Sequence, residues 1–276
     1  MISTKIAQPE DAQNIVSLFT EENNDYQWNI KKWEHYYKSY TEGTPISIVA
    51  EKNNQIIGHY GILPIQIADY KAMLGLHAYV SKEYRGFEVI SKLMSFTYDY
   101  CQQDNIDIVC AFANENMTLI QSKLFKWNHI GNLIFSDTDT FDNRILKNRP
   151  FQFNYSNEWY KWRFGVDTDV YLSEYSSFDN PIIQLLKSNQ DYFQAKDFDL
   201  SKFQFWDPNQ YSSGAETKLY QPFSIKILNS KVSNSILDIN HWKIDMGDSD
   251  TFVYSPYQTK TRYNKMNPKQ AAKDAP

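Results

Sequence analysis

The first 130 or so residues switch between two hydrophobic periods, and the order of switching is the strongest constraint on the fold. Residues 2–7 read as a short strand. Pro9, Glu10 and Asp11 then set a proline and two carboxylates where a helix N-terminus favours them, and Ile15, Leu18 and Phe19 give that helix an apolar stripe. Trp33, Tyr36, Tyr37 and Tyr40 recur at helical spacing over 29–40. Residues 46–51 and 55–67 flank Asn53-Asn54, the turn chemistry of a β-hairpin. A strand over 73–80 precedes a helix over 88–103, with Val89, Leu93, Phe96 and Tyr100 on one face. Residues 106–112 are apolar except for Asp107, which predicts a buried central strand, and a helix over 116–126 comes next. The order β-α-α-β-β-β-α-β-α is that of an α/β fold.

Beyond residue 151 the pattern loosens. It predicts a short helix over 157–164, paired strands over 181–187 and 192–198, and strands near 223–228 and 241–246. Residues 259–276 read as a polar, mobile tail. No internal repeat is evident.

Composition narrows the chemistry. A formal charge of −5 offers no field for nucleic acid or an anionic membrane. Cys101 and Cys110 sit in apolar-periodic segments, as buried thiols in a reducing compartment do. The N-terminus lacks an apolar signal core, and no apolar run approaches the roughly 18 residues of a membrane span. The expectation is a cytoplasmic protein without membrane insertion. The five histidines show no metal-ligand spacing, so no metal is expected. Neither a Gly-x-Ser-x-Gly elbow nor a phosphate-binding Gly-x-x-x-x-Gly-Lys loop occurs. The 20 Tyr, 17 Phe and 7 Trp serve either as core packing or as walls of a sugar or nucleotide site.

Residues 80–94 carry the clearest chemistry. A strand ends at Val80, Arg85-Gly86 makes a turn, and a helix begins. Such a junction aims backbone N–H groups and the positive end of a helix dipole at one point, which suits a phosphate. Tyr84-Arg85-Gly86 and the apolar helix through Leu93 and Met94 resemble the acyl-CoA motif of the GNAT (N-acetyltransferase) superfamily, Tyr-Arg-Gly-x-Gly-x-Gly/Ala. The strand and helix over 112–127, with Asn114, Asn116 and the closing Leu124-Phe125-Lys126-Trp127, resemble the strand–helix pair next in order in that family. Two positions depart from it: Glu88 stands at the middle glycine and Ile90 at the last small residue. A carboxylate there repels a pyrophosphate by about 1 kcal/mol or more.

The resemblance implies a GNAT fold with a mixed, splayed central sheet in residues 1–145, extended by a GNAT-like half over 146–258 that completes the sheet and the acceptor side. It implies acetyl-CoA as acyl donor. Arg85, Gly86, Phe87, Glu88, Val89, Ile90 and Ser91 would lie along its pyrophosphate, and the backbone near Tyr79 and Val80 would polarise the thioester. His77, two residues from Tyr79 on the same strand face, is then the candidate base, or else a hydrogen-bonded structural histidine. Asn114 either holds the pantetheine arm or caps the next helix.

The run 157–164 with Trp162 and Arg163, and the run Gly247-Asp248-Ser249-Asp250, are similar to segments of longer GNAT-like proteins associated with bacterial surface polysaccharides. On that likeness Trp162 and Arg163 would bind the acceptor, and Asp248 and Asp250 would orient or deprotonate its amine, the alternatives being an ion pair and a solvated turn. The tyrosine that commonly serves the family as general acid has no counterpart in 116–127. The resulting expectation is an acyl-CoA-dependent N-acyltransferase acting on a small-molecule acceptor amine, a nucleotide-linked amino sugar. A homodimer is compatible with it. The alternatives are a GNAT-like module without catalysis and a transferase using a non-CoA donor.

Overall fold

The computed structural model of the 276-residue chain describes residues 1–21, 28–137, 149–156, 158–159, 162, 204–207 and 219–244. They fall into two units interleaved along the sequence. The first takes Met1–Ala111, Asn154–Trp162 and Ile225–Ser233, and the second takes the described residues of 112–153, 163–224 and 234–276.

The first unit is built on strands β1 (Ser3–Ile6), β2 (Ile46–Lys52), β3 (Gln55–Ile67), β4 (Tyr70–Val80) and β5 (Ile108–Phe112), adjacent in that order. β1 to β4 pair antiparallel and β5 runs parallel to β4, so the sheet is mixed. Asn53 and Asn54, both at positive φ (51° and 63°), close the β2–β3 hairpin, a conformation asparagine tolerates better than most residues.

Helices α1 (Ala12–Thr20) and α2 (Ile30–Lys38) cover one face of the sheet, and α3 (Phe87–Gln103) covers the other. Alternation along β3 separates the two. Phe19 of α1 meets the His59 ring at 4.9 Å, while Gly58 lies under Val89 and Leu93 of α3. A Cβ at Gly58 would stand 2.7 Å from Val89, so only glycine lets α3 approach this closely. Val89, Ile90, Leu93 and Met94 are buried there. At about 1.5–3 kcal/mol for each large apolar side chain, that face anchors α3 far more firmly than its exposed side.

Two distant segments complete this unit. Trp162 is buried, stacks on His35 at 4.7 Å and donates its indole N–H to the His35 carbonyl at 3.0 Å. Asn154 donates to the carbonyl of Ala68 in the β3–β4 turn. Near the same turn, fully buried Asp107 accepts from the Lys71 amide (3.1 Å) and the Asn229 side chain (3.0 Å), and meets Lys231 at 3.1 Å. Its carbonyl accepts from the Leu228 amide. The one polar residue of the predicted central strand is therefore the tie for residues 228–231.

In the second unit, α4 (Glu115–Phe125) ends on Lys126 in the left-handed region (φ 58°), and β6 (Asn128–Asp137) comes after it. Sequence pattern did not predict β6. β7 (Phe151–Asn154), β8 (Gln204–Asp207) and β10 (Trp242–Lys243) are short, while β9 (Leu219–Ile227) is longer; β6 pairs antiparallel with β8, and β7 parallel with β10. Trp242 is fully buried against Phe223 (4.8 Å) and Phe153 (5.9 Å), its indole N–H donating to Ile236. Of the strand expected over 241–246, the described residues 241–244 hold β10, preceded by two turns of 3-10 helix, and 245–246 lie outside the described residues. The predicted strands over 181–187 and 192–198 and the tail over 259–276 lie outside the described residues. No described helix is long and apolar enough to cross a membrane.

Replacing Asp107 by alanine takes the acceptor from the Lys71 amide and the Asn229 side-chain amide, and removes the ion-pair partner of the largely exposed Lys231. The expected cost in urea unfolding is roughly 2–4 kcal/mol, with faster exchange at the Asn229 and Leu228 amides, and Asp107→Asn should cost less because an acceptor remains.

Candidate active site

β4 carries a bulge. His59 pairs with Tyr79 but Gly61 pairs with Leu76, so β4 uses one residue more than β3 between those points. His77 sits in the bulge at φ 51°, a left-handed conformation that costs a non-glycine residue about 1–3 kcal/mol. The compensation is visible beside it. Nδ1–H of His59 donates to the His77 carbonyl at 2.8 Å, and Nε2 of His59 accepts from the Ser47 hydroxyl at 2.8 Å. A carbonyl only accepts, which fixes the proton of His59 on Nδ1. Burial pushes the pKa of His59 down to about 3 against the opposing pull of the hydrogen bond to the His77 carbonyl, so this clamp stays neutral.

The His77 ring is half-buried among aromatics on the α1/α2 face. Trp28 and Tyr36 stand perpendicular to it at 4.5 and 4.6 Å, and the Tyr37 hydroxyl lies 3.0 Å from its Nδ1. Phe19 touches both His77 and Tyr79, so these two residues share one face.

The far edge of β4 opens beyond the bulge. Pairing with β5 runs from Ala72↔Ile108 to Gly75↔Ala111, while β4 continues to Val80. Ser81 N–H donates to the Ile57 carbonyl, which makes Val80↔Gly58 a non-hydrogen-bonded pair and turns the Val80 N–H away from β3. The Val80 carbonyl, on that same side, accepts from Arg85 Nε at 3.3 Å.

A single 3-10 turn, Lys82–Tyr84, then leads to α3. Its N-cap is Gly86, without a side-chain cap, and the amides of Gly86, Phe87, Glu88 and Val89 are the four for which a helix start offers no carbonyl of its own. Gly86 has an extended backbone that any residue could adopt, and a Cβ there would meet nothing within 4 Å. The fold itself does not require glycine at this position. What glycine leaves is open space at the positive end of a 17-residue helix.

Arg85, Gly86, Phe87 and Glu88 are exposed around that space and Ser91 is half-buried. The side chains of Val89 and Ile90 point into the core, which leaves only the Val89 amide to face a ligand; the Ile90 amide falls within the helical ladder. Trp162, expected beside the acceptor, is instead a core residue under α2. Asn114 belongs to the second unit, where its side chain caps α4 by accepting from the Met117 amide at 2.8 Å. Arg163, Asp248 and Asp250 lie outside the described residues. Sequence reasoning missed Ser47, His59, Tyr37 and Trp28. The available signal was Gly58-His59-Tyr60-Gly61, two glycines inside a strand, which mark close approaches of neighbours.

A bulged strand with an outward amide, leading into an uncapped helix start, is suited to hold an acyl thioester and its phosphates. Residues 12–121 match the model of the Acetyltransferase (GNAT) family. This segment is therefore similar to GNAT acetyltransferase domains. No curated protein matches the chain.

Among solved structures, one from Enterococcus faecalis V583, described as a conserved protein of unknown function and probable N-acyltransferase, is 12% identical over 50% of this chain and 35% of its own, with TM-score 0.43. The chain thus spans about a third of that protein's length. A GNAT-family acetyltransferase from Staphylococcus aureus Mu50 is 17% identical over 50% of this chain and 86% of its own (TM-score 0.37). A GNAT-family acetyltransferase from Brucella melitensis, solved in complex with acetyl-CoA, is 15% identical over 46% and 82% (TM-score 0.36).

The neutral clamp gives stability a pH dependence. Below about 6.5 the unfolded chain binds a proton at residue 59 that the folded chain refuses until about 3. Stability should therefore be full above that window and fall as pH drops through it, by at most about 1.4 kcal/mol per pH unit. Denaturant unfolding at about pH 7 and about pH 5 measures the slope, and His59→Gln, which cannot titrate, should flatten it.

Proposed function

We propose that the first unit transfers an acetyl group from acetyl-CoA to the amine of a small acceptor, with His77 as general base. The observation that carries this reading is the continuity from the bulge to the helix start. The strained His77, the outward Val80 amide and the open Gly86 cradle succeed one another along a single strand–turn–helix. The α3 amides and Arg85 would hold the pyrophosphate, and the Val80 N–H would donate to the thioester oxygen as it becomes an oxyanion.

The acceptor nitrogen attacks the carbonyl carbon, a C–N bond forms and the C–S bond breaks. Nε2 of His77 takes the proton the amine loses and returns it to the departing thiolate. Such a relay needs no separate tyrosine, in keeping with the lack of one in 116–127.

An amino sugar, as on a nucleotide carrier, is the acceptor we favour. The half-buried rings of Trp28 and Tyr79 near His77 supply flat apolar surface of the kind sugar rings pack against. A second reading is favoured by Glu88, whose exposed carboxylate stands in the first turn of α3: transfer from a donor without a pyrophosphate.

Thermal-shift titration with acetyl-CoA tests the proposal, since a ligand that binds only the native state raises its melting temperature. A dose-dependent rise is expected, weakened about tenfold in affinity by Arg85→Ala and strengthened by Glu88→Gly. Gly86→Ala should leave the free protein's melting temperature unchanged, because its Cβ meets nothing, yet weaken binding. No shift at saturating acetyl-CoA would reject the CoA reading in favour of the second. His77→Ala should keep the shift and lose about 10²–10⁴-fold in turnover with an amino-sugar acceptor.

A further inference from the structure

The side chain that meets the His77 ring comes from another element of the fold. Tyr37, on α2, is buried, and its hydroxyl lies 3.0 Å from His77 Nδ1, bridging 40 residues of sequence. It arrives through a notch, since a Cβ at Gly61 would clash with the Tyr37 hydroxyl. The helix bearing it is fixed at both ends, by the Asn29 side chain accepting from the Lys32 amide and by the Trp162 indole on the His35 carbonyl. His59 holds the main chain of His77 and does not touch the ring's proton. Trp28 and Tyr36 set the plane of the ring by edge contacts.

A neutral imidazole carries one proton, and where it sits decides what the ring can do. With the proton on Nε2, Nδ1 accepts from Tyr37 and the ring presents a donor that cannot take a proton from an amine. With the proton on Nδ1, it is donated to the Tyr37 oxygen and Nε2 keeps its lone pair. We infer that Tyr37 is the positioning residue for His77, accepting its Nδ1–H in the notch left by Gly61 and so holding the imidazole in the tautomer a base requires. The inference rests on the reading of His77 as the base, but its central claim is measurable without turnover.

Nitrogen-15 NMR of the full-length, histidine-labelled chain, recorded where the ring is neutral and assigned through His77→Gln, distinguishes the two tautomers. The expected result is an Nδ1–H signature for His77 that moves towards Nε2–H in Tyr37→Phe. Turnover in that variant should fall about tenfold, with the KM for acetyl-CoA unchanged. An Nε2–H signature in the unsubstituted protein overturns the inference without any variant. So does a Tyr37→Phe spectrum identical to the parent's. Full turnover in His77→Ala would instead remove the base assignment, leaving the tautomer result to stand or fall by itself.

Discussion

The hydrogen bond from His59 to the His77 carbonyl is the interaction on which the rest of the site depends. An extra residue in one strand of an antiparallel pair shifts side-chain phase and leaves a backbone kink that must be stabilised locally. A charged partner buried at that depth would itself need compensation; a neutral imidazole does not, provided both ring nitrogens are satisfied. Ser47 and the His77 carbonyl satisfy them. The clamp thus tolerates the left-handed conformation at His77 and turns His77 and Tyr79 to the same face.

The other face of the sheet positions the helix start. Gly58 lets Val89 and Leu93 sit against β3, and those contacts hold the first turn of α3 beside the end of β4. Acyl transfer, as proposed for this junction, would place two demands on it: donors fixed before the charge develops, and space for the group that carries it. Tight packing beneath Val89 answers the first, and vacant space above Gly86 answers the second. The same helical turn is rigid on its inner side and open on its outer side.

Local features of this fold were legible in sequence, and cooperative ones were not. The Asn53-Asn54 turn, the amphipathic stripe of α3 and the apolar run before Ala111 each express a preference of neighbouring residues, and each formed where expected, within a few residues at the ends. The site was half legible. Arg85-Gly86 and His77 announced a junction and a candidate base, because their chemistry is carried by adjacent positions. The bulge was invisible, since an extra residue changes the register between two strands without altering the pattern of either. Tyr37 and Gly61 make sense only as a pair, large and absent side chains meeting across elements far apart in sequence. Trp162 misled for the same reason: an aromatic beside an arginine reads as a binding surface until its partner His35 is seen.

The tie at Asp107 has a consequence for the timing of synthesis. The carboxylate is made early, yet one of its partners, Asn229, lies 122 residues further along the chain. A chain emerging from the ribosome displays β5 with a buried-type carboxylate still open to water until that segment arrives. Until then Asp107 can meet only water and its earlier partner, the Lys71 amide, so this tie cannot close before residue 231 has been made.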